Sequence, residues 1–165
     1  WSILPTLLQP TSRGYVGLRS SNPMEAPLIQ PNFSSTEADR NVLLTGTKLA
    51  LELNRSAAFA PLRERALIPA DGASDEALMA HIRKIVETVY HPVGTCRMGS
   101  DANAVVDDQL RVRGIEGLRV VDASIMPTIV SGNTNAPVIM IAEKAADLIL
   151  GRIVPKTAQQ QTATA

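Results

Sequence analysis

A histidine in a glycine-punctuated loop is the first residue whose type and setting suggest chemistry. His91 opens the segment HPVGTCRMG (91–99), in which Pro92 restrains the backbone while Gly94 and Gly99 let the chain approach a ligand closely. Histidine exchanges protons near neutral pH, because its unperturbed pKa is about 6.5. A lone loop histidine is nevertheless more often structural or solvated than catalytic. His91 is therefore a candidate general base that needs support from other residues.

The second candidate is the polar loop SGNTN (131–135), which precedes a predicted helix. Free backbone N–H groups at a helix N-terminus attract electron-rich or anionic groups, such as a phosphate or a flavin ring. Ordinary helix capping explains the same residues equally well. Asp122 ends a predicted strand shortly before this loop. It either accepts hydrogen bonds from a cofactor or caps the turn at Ala123 and Ser124, and the sequence favours neither.

The remaining reactive side chains favour structural roles. His81 lies within a predicted helix and has no second histidine or cysteine at metal-ligand spacing, so no metal site is predicted. Cys96 is the only cysteine, and a structural role is favoured over a nucleophilic one. A single thiol forms no internal disulfide, which is compatible with a reducing compartment such as the cytoplasm. The chain begins at Trp1 without a signal pattern, so we expect its natural start to be missing and its localisation stays unknown.

The composition is that of a globular protein and excludes several classes of partner. The 165 residues are 45% hydrophobic and 19% charged, which suits one domain with a core. The 16 basic residues balance the 16 acidic ones, and only 3% of residues are aromatic, so nucleic acid is not an expected partner. No apolar run reaches the roughly 18 residues that a membrane span requires.

Three helices are predicted from apolar residues at helical spacing and from the residues at their ends. Ser34 and Glu37 resemble a capping box, and two acidic residues follow Ser74. Pro137 suits the first turn of the last helix, and Gly151 suits the position after its end. By N-cap and final residue, the predicted helices are Ser34 to Asn54, Ser74 to Val89, and Asn135 to Leu150.

Strands are predicted to be short and few. Residues 13–20 alternate as in a strand, and the prolines within 22–33 indicate an extended surface crossing. Residues 110–122 indicate two short strands around a turn at 114–117.

Four short motifs follow one another in a characteristic order: HPVGTCRMG (91–99), LRVVDASIMP (118–127), SGNTNAP (131–137) and EKAADLI (143–149). Together they closely resemble the C-terminal signature of the glucose–methanol–choline (GMC) oxidoreductases. Upstream, SRGYVGLRS (12–20), PLIQPNF (27–33) and DRNVLLTG (39–46) resemble the cap-domain segment of that family. The resemblance covers nearly the whole chain and is nearest the choline dehydrogenase and the aryl-alcohol or hydroxymethylfurfural oxidase branch.

The resemblance implies an FAD-dependent oxidoreductase that converts a CH–OH donor to an aldehyde or ketone. His91 matches the family's catalytic histidine, which takes the hydroxyl proton while hydride passes to flavin N5. Asn135 matches the second catalytic position, where an amide orients the alkoxide because it cannot act as a base. Val89 and Tyr90 match pocket-wall positions that contact the substrate. The positions that match FAD contacts are Asp122, Ala123, Asn133, Thr134, Asn135, Pro137 and Val138.

The resemblance also implies an α+β fold in three parts. Residues 1–90 would belong to the antiparallel-sheet substrate-binding or cap domain, 91–154 would form the catalytic and FAD-contacting last strand–loop–helix of the FAD-binding domain, and 155–165 would be a disordered tail. None of the ten glycines forms the dinucleotide-binding G-x-G-x-x-G pattern. We therefore expect a fragment whose partners are an alcohol substrate and the missing N-terminal FAD-binding half. The alternative is a non-catalytic cap module that lacks flavin binding on its own.

Overall fold

The computed structural model describes residues 2–64 and 72–152, which fall into two compact units. The first unit contains the described residues up to His91 together with Val130–Gly132. The second contains Pro92–Ile129 and the described residues from Asn133 onward. The predicted tail at 155–165 lies outside the described residues. The mixture of helices with a small sheet agrees with the predicted α+β class, and the finer assignment of segments to a cap and a flavin domain stays a prediction.

A two-stranded antiparallel sheet belongs to the first unit. Strand β1 spans Tyr15–Gly17 and strand β2 spans Leu28–Gln30, with Tyr15 opposite Gln30. The first strand lies within the predicted 13–20 segment, and the second lies within the proline-rich crossing. Tyr15 and Ile29 are 54% and 65% exposed. Two exposed strands are marginal alone, so this sheet is typical of a piece of a larger one.

Helix α1 spans Glu37–Asn54 and confirms the predicted C-terminal end. Its predicted N-cap at Ser34 is wrong, because the hydroxyl of Thr36 accepts the Asp39 N–H over 3.3 Å and caps the helix instead. Ser34 has a φ of 56°, whereas an N-cap residue is normally extended. Thr36 and Asp39 have the same hydroxyl-to-acid spacing as Ser34 and Glu37, two residues further along the chain.

A 3₁₀ helix at Ala57–Leu62 and helix α2 at Asp75–Ile85 complete the regular structure of the described first unit. Ser74 caps α2 as predicted by accepting the Ala77 N–H over 3.3 Å. The predicted end at Val89 is wrong, since the helix stops at Ile85 and the next residue is extended at ψ 127°. The four residues after Ile85 include three β-branched ones, which lose side-chain freedom in a helix.

The core of the second unit joins a looped segment to a helix. Its buried members are Val106, Leu110, Ile125, Met126, Ile141 and Ala145. The two strands predicted within 110–122 form only isolated bridges, between Val106 and Val112 and between Arg111 and Arg119. The predicted turn at 114–117 lies between them, and its glycines, Gly114 and Gly117, both have left-handed backbone conformations.

Helix α3 spans Asn135–Ile149, and Thr134, not Asn135, occupies the N-cap position. The predicted cap at Asn135 is therefore wrong by one residue, because two residues with capping side chains are adjacent here and Asn135 is the first helical residue. Pro137 lies in the first turn, and Gly151 follows the end of the helix with a φ of 65°, as predicted. None of the helices in the described ranges has the length and apolar character needed to cross a membrane.

Candidate active site

His91 follows α2 on a tight turn of unusual backbone geometry. The hydroxyl of Thr88 accepts the backbone N–H of Tyr90 over 2.9 Å. Tyr90 itself has a φ of 65°, in the left-handed region. A non-glycine residue there costs about 1–2 kcal/mol, since Cβ crowds the carbonyl oxygen. Such outliers concentrate at active sites, so this turn supports a functional reading of His91.

The two predicted pocket-wall residues lie on this same turn. Val89 is 56% exposed and Tyr90 is 78% exposed. His91, beside them, is half-buried and belongs to the first unit. The side chains of Val89 and Tyr90 are therefore accessible to a small molecule, and their contact with substrate stays a prediction.

The segment after His91 is bound by its backbone to the segment after Asp122. The Cys96 N–H donates to the Ser124 carbonyl over 3.0 Å, and the Met98 N–H donates to the Ile125 carbonyl over 2.8 Å. Gly94, with a φ of 89°, completes this approach, because a Cβ there would lie 3.3 Å from the Met126 carbonyl oxygen. Residues 92–99 of the first motif and residues 122–126 of the second motif thus form one structural piece of the second unit.

Asp122 has the capping role that was one of its two predicted alternatives. Its Oδ1 accepts the Ser124 N–H over 2.7 Å and caps the 3₁₀ helix Ala123–Ile125. The Asp122 residue is exposed and Ala123 is half-buried. The carboxylate thereby fixes the backbone that receives Cys96 and Met98, while a contact of Asp122 or Ala123 with FAD stays a prediction.

The N-terminus of α3 offers backbone donors and no competing carboxylate. Asn133 and Asn135 are exposed, and Thr134 is buried and makes no side-chain cap bond. The first turn contains no acidic residue. The first N–H groups of a helix have no partner inside it, and the helix dipole adds positive partial charge there. This donor set fits an electron-rich carbonyl edge or an anionic group of a flavin.

The remaining predicted cofactor residues lie on the first turn of the same helix. Pro137 and Val138 are half-buried, and Val138 packs against the core of the second unit. Pro137 has no N–H, which leaves the exposed amides of the turn to Asn135 and Ala136. Asn135 and Asp122 belong to the second unit, and the joint action of His91 and Asn135 stays a prediction.

The thiol of Cys96 and the imidazole of His81 are not among the predicted site groups. Cys96 is half-buried and unbonded to another cysteine. His81 lies in α2, where its Nε2 is buried without a hydrogen-bond partner among the described residues. Sequence reasoning did not single out Thr88. The sequence feature that could have indicated this turn is the threonine itself, because a threonine hydroxyl often hydrogen-bonds the backbone two residues further along the chain.

The C-terminal family model of the GMC oxidoreductases matches residues 10–142. The chain belongs to the GMC oxidoreductase family. This confirms the family predicted from the four motifs. Every site residue predicted from the resemblance lies within the matched range, and the individual roles of these residues stay predictions.

Relatives of this GMC chain include named dehydrogenases. It is 52% identical over 145 residues to the mitochondrial choline dehydrogenase of Homo sapiens, covering 86% of this chain and 24% of that protein. It is 49% identical over 147 residues to an alcohol dehydrogenase (acceptor) of Pseudomonas putida, covering 88% of this chain and 27% of that protein. The predicted similarity to choline dehydrogenases is confirmed.

A solved structure agrees with the fold. An FAD-dependent oxidoreductase from Chaetomium thermophilum matches with a TM-score of 0.80 and 32% sequence identity, covering 87% of this chain and 25% of that one. The chain thus spans about a quarter of the length of the relatives that it matches.

Proposed function

We propose that the protein carrying this chain is an FAD-dependent oxidoreductase that oxidises a primary or secondary alcohol to an aldehyde or ketone, with His91 as the base. The observation that carries the proposal is the GMC family match across residues 10–142, which includes His91. The left-handed turn at Tyr90 supports it, because that turn presents His91 from a backbone geometry typical of functional sites.

His91 and Asn135 have different tasks in this proposal. The His91 imidazole takes the substrate hydroxyl proton at one ring nitrogen, which leaves an alkoxide. Asn135 donates a hydrogen bond from its side-chain Nδ2 to the alkoxide oxygen and orients it. An amide is not a base, so His91 is the sole proton acceptor of the pair. The exposed position of Asn135 at the start of α3 leaves its amide accessible to a ligand.

The FAD of this proposal would be held in part by the start of α3 and by the turn after Asp122. When bound, FAD supplies the hydride acceptor for the carbon-bound hydrogen, which is the redox chemistry that no side chain here provides. The residues that would hold it are Asp122, Ala123, Asn133, Thr134, Asn135, Pro137 and Val138. Val89 and Tyr90 would line the space for the alcohol beside His91.

The alternative proposal is a non-catalytic cap module without flavin binding of its own. The observation behind it is that the G-x-G-x-x-G pattern does not occur within residues 1–165. Titration of residues 1–165 with FAD tests the flavin-binding half of this idea. We expect no tight uptake, because the backbone that grips the pyrophosphate in dinucleotide-binding folds is lacking. Stoichiometric, tight uptake by residues 1–165 contradicts the alternative.

The decisive experiment for catalysis is anaerobic stopped-flow reduction of the flavin by choline or by benzyl alcohol in the complete flavoprotein. We expect His91→Ala to lower the reduction rate at least ~100-fold, as the loss of a general base does. The matched control is His81→Gln, which changes the chain's other histidine and leaves the turn at Tyr90 untouched. Reduction by His91→Ala at a rate near that of the unaltered enzyme would rule out His91 as the base.

A further inference from the structure

We propose that Thr88 is a positioning residue that fixes the direction of the His91 side chain through the backbone turn at Tyr90. The proposal rests on the proposed function of His91 as the base. Thr88 itself is assigned no contact with substrate or cofactor. Thr88 lies three residues before His91 and acts by holding the peptide at which the turn begins.

The hydrogen bond between Thr88 and Tyr90 defines that peptide. A backbone amide has one hydrogen to donate, and the Tyr90 N–H gives it to the Thr88 hydroxyl over 2.9 Å. This bond sets the plane of the peptide between Val89 and Tyr90. The chain then passes through the φ of 65° at Tyr90 and reaches His91. A bulky aromatic residue disfavours this region, so the turn needs an anchor outside Tyr90 itself.

The backbone is restrained on the other side of His91 as well. Pro92 has a fixed φ and disfavours the helical region for the residue before it. His91 therefore lies between a left-handed residue and a proline. Of these restraints, the proline is covalent and permanent, whereas the conformation of Tyr90 depends on a neighbouring group. The Thr88 hydroxyl is the described side-chain group that supplies this support.

Core packing does not account for the turn. Tyr90 is 78% exposed, Val89 is 56% exposed, and Thr88 is exposed. The side chains of this turn fill no part of the described core. Burial of these side chains therefore does not offset the cost of the unfavourable backbone conformation at Tyr90. The turn instead determines where the next residue, His91, is presented. Small displacements of a catalytic group are costly in rate, which gives the restraint a functional consequence.

The test uses the complete flavin-loaded enzyme and the pair Thr88→Val and Thr88→Ser. Valine keeps the shape of threonine and removes the acceptor, whereas serine keeps the hydroxyl. We expect Thr88→Val to lower the limiting rate of alcohol-dependent flavin reduction about tenfold with little change in the substrate Kd, because the base is misdirected and not removed. Thr88→Ser should keep the limiting rate within about twofold of that of the unaltered enzyme. Thr45→Val, on the exposed face of α1, is the matched control.

A double-mutant cycle with His91→Ala separates positioning from general structural damage. If Thr88 acts through His91, then Thr88→Val slows the reaction only while His91 is present. An equal slowing in the His91→Ala background overturns the proposal, and so does an unchanged rate in Thr88→Val alone. If His91→Ala reduces the flavin at a rate near that of the unaltered enzyme, His91 is not the base. That outcome contradicts the proposed function itself and is distinguishable from a failure of the role of Thr88 alone.

Amide hydrogen exchange gives a readout that does not depend on turnover. We expect the Tyr90 amide to exchange faster in Thr88→Val than in Thr88→Ser, because its acceptor is gone. Equal exchange in the two variants contradicts the hydrogen bond on which the proposal stands. Should Thr88→Val fail to fold, Thr88→Ala removes the same acceptor at this exposed position, and the same rate and exchange differences are expected of it.

Discussion

The backbone N–H of Met98 donates a hydrogen bond to the backbone carbonyl of Ile125 over 2.8 Å. The two residues are far apart in sequence, and each lies within a motif that contains predicted site residues. Together with the bond from Cys96 to Ser124, this contact binds the segment after His91 to the segment after Asp122. Ile125 is also only 1% exposed, so its side chain anchors the junction in the core of the second unit.

The first prediction concerns this anchor. Ile125→Ala should lower the free energy of unfolding by about 2–5 kcal/mol, and Ile125→Val by about 0.5–1.5 kcal/mol, because truncation leaves a cavity in a packed core. Ile115→Ala is the matched control, since Ile115 is 56% exposed, and it should cost at most about 0.5 kcal/mol. Urea unfolding, monitored by circular dichroism, measures the free energy of unfolding of all three variants. Similar losses for Ile125→Ala and Ile115→Ala would contradict the buried position of Ile125.

Helix starts were predictable from sequence where one local signal stood alone. Ser74 was found because its hydroxyl and the acids after it form an isolated start signal. Two starts were missed by one or two residues because capping residues are clustered. At α1 both Ser34 and Thr36 have an acid three residues later, and only the backbone conformation selects Thr36.

The end of α2 and the paired segments of the second unit depended on tertiary structure. Helical periodicity predicted α2 as far as Val89, yet the chain leaves the helix after Ile85 and turns left-handed at Tyr90. No local rule assigns that conformation to a tyrosine. Likewise, the hydrogen bond from Met98 to Ile125 forms because the core brings distant segments together, which spacing along the chain does not encode.

The second prediction concerns a buried carboxylate in the first unit. Asp39 is 2% exposed and accepts hydrogen bonds from the backbone N–H groups of Thr11 and Ser12 over 2.8 and 2.9 Å. The Thr11 hydroxyl donates to it over 2.8 Å as well. Burial acts to raise the pKa of Asp39, but the hydrogen bonds from Ser12 and Thr11 outweigh burial and hold the pKa well below its ordinary value of 3.8.

The sign of the resulting pH dependence follows from that direction. A depressed folded-state pKa stabilises the fold fully above the ordinary pKa, and the stabilisation is lost as the pH falls through the folded pKa. Asp39→Asn should therefore lower the free energy of unfolding by about 2–3 kcal/mol at neutral pH, because an amide replaces an acceptor oxygen. Below pH 3.8 the difference from the unaltered protein should shrink by at most about 1.4 kcal/mol per pH unit.

Thermal and urea unfolding at several pH values between neutral and strongly acidic measure this difference. Asp108→Asn is the control, because Asp108 is exposed and lies in another part of the chain. It should show a small effect at neutral pH. A deficit of Asp39→Asn that stays constant through the acidic range would show that the charge on Asp39 does not contribute to stability.

The last prediction separates stability from catalysis at Asn135. Thr134 occupies the N-cap position, so Asn135→Ala should change the free energy of unfolding by less than about 0.5 kcal/mol. In the proposed function it should still slow alcohol-dependent flavin reduction about 100-fold, because the alkoxide loses a hydrogen-bond donor. Asn103→Ala, at an exposed asparagine of the second unit, is the control for both measurements.

Asn135→Asp sharpens the test because its two effects should have opposite signs. A carboxylate in the first turn of a helix interacts favourably with the helix dipole, by about 0.3–1 kcal/mol, so the variant should unfold at a higher temperature. The same charge repels an alkoxide, so flavin reduction should be slower than in Asn135→Ala. Stopped-flow reduction and thermal unfolding of the two variants measure both effects. Reduction by Asn135→Asp at the rate of the unaltered enzyme would mean that the side chain at this position does not face the developing negative charge.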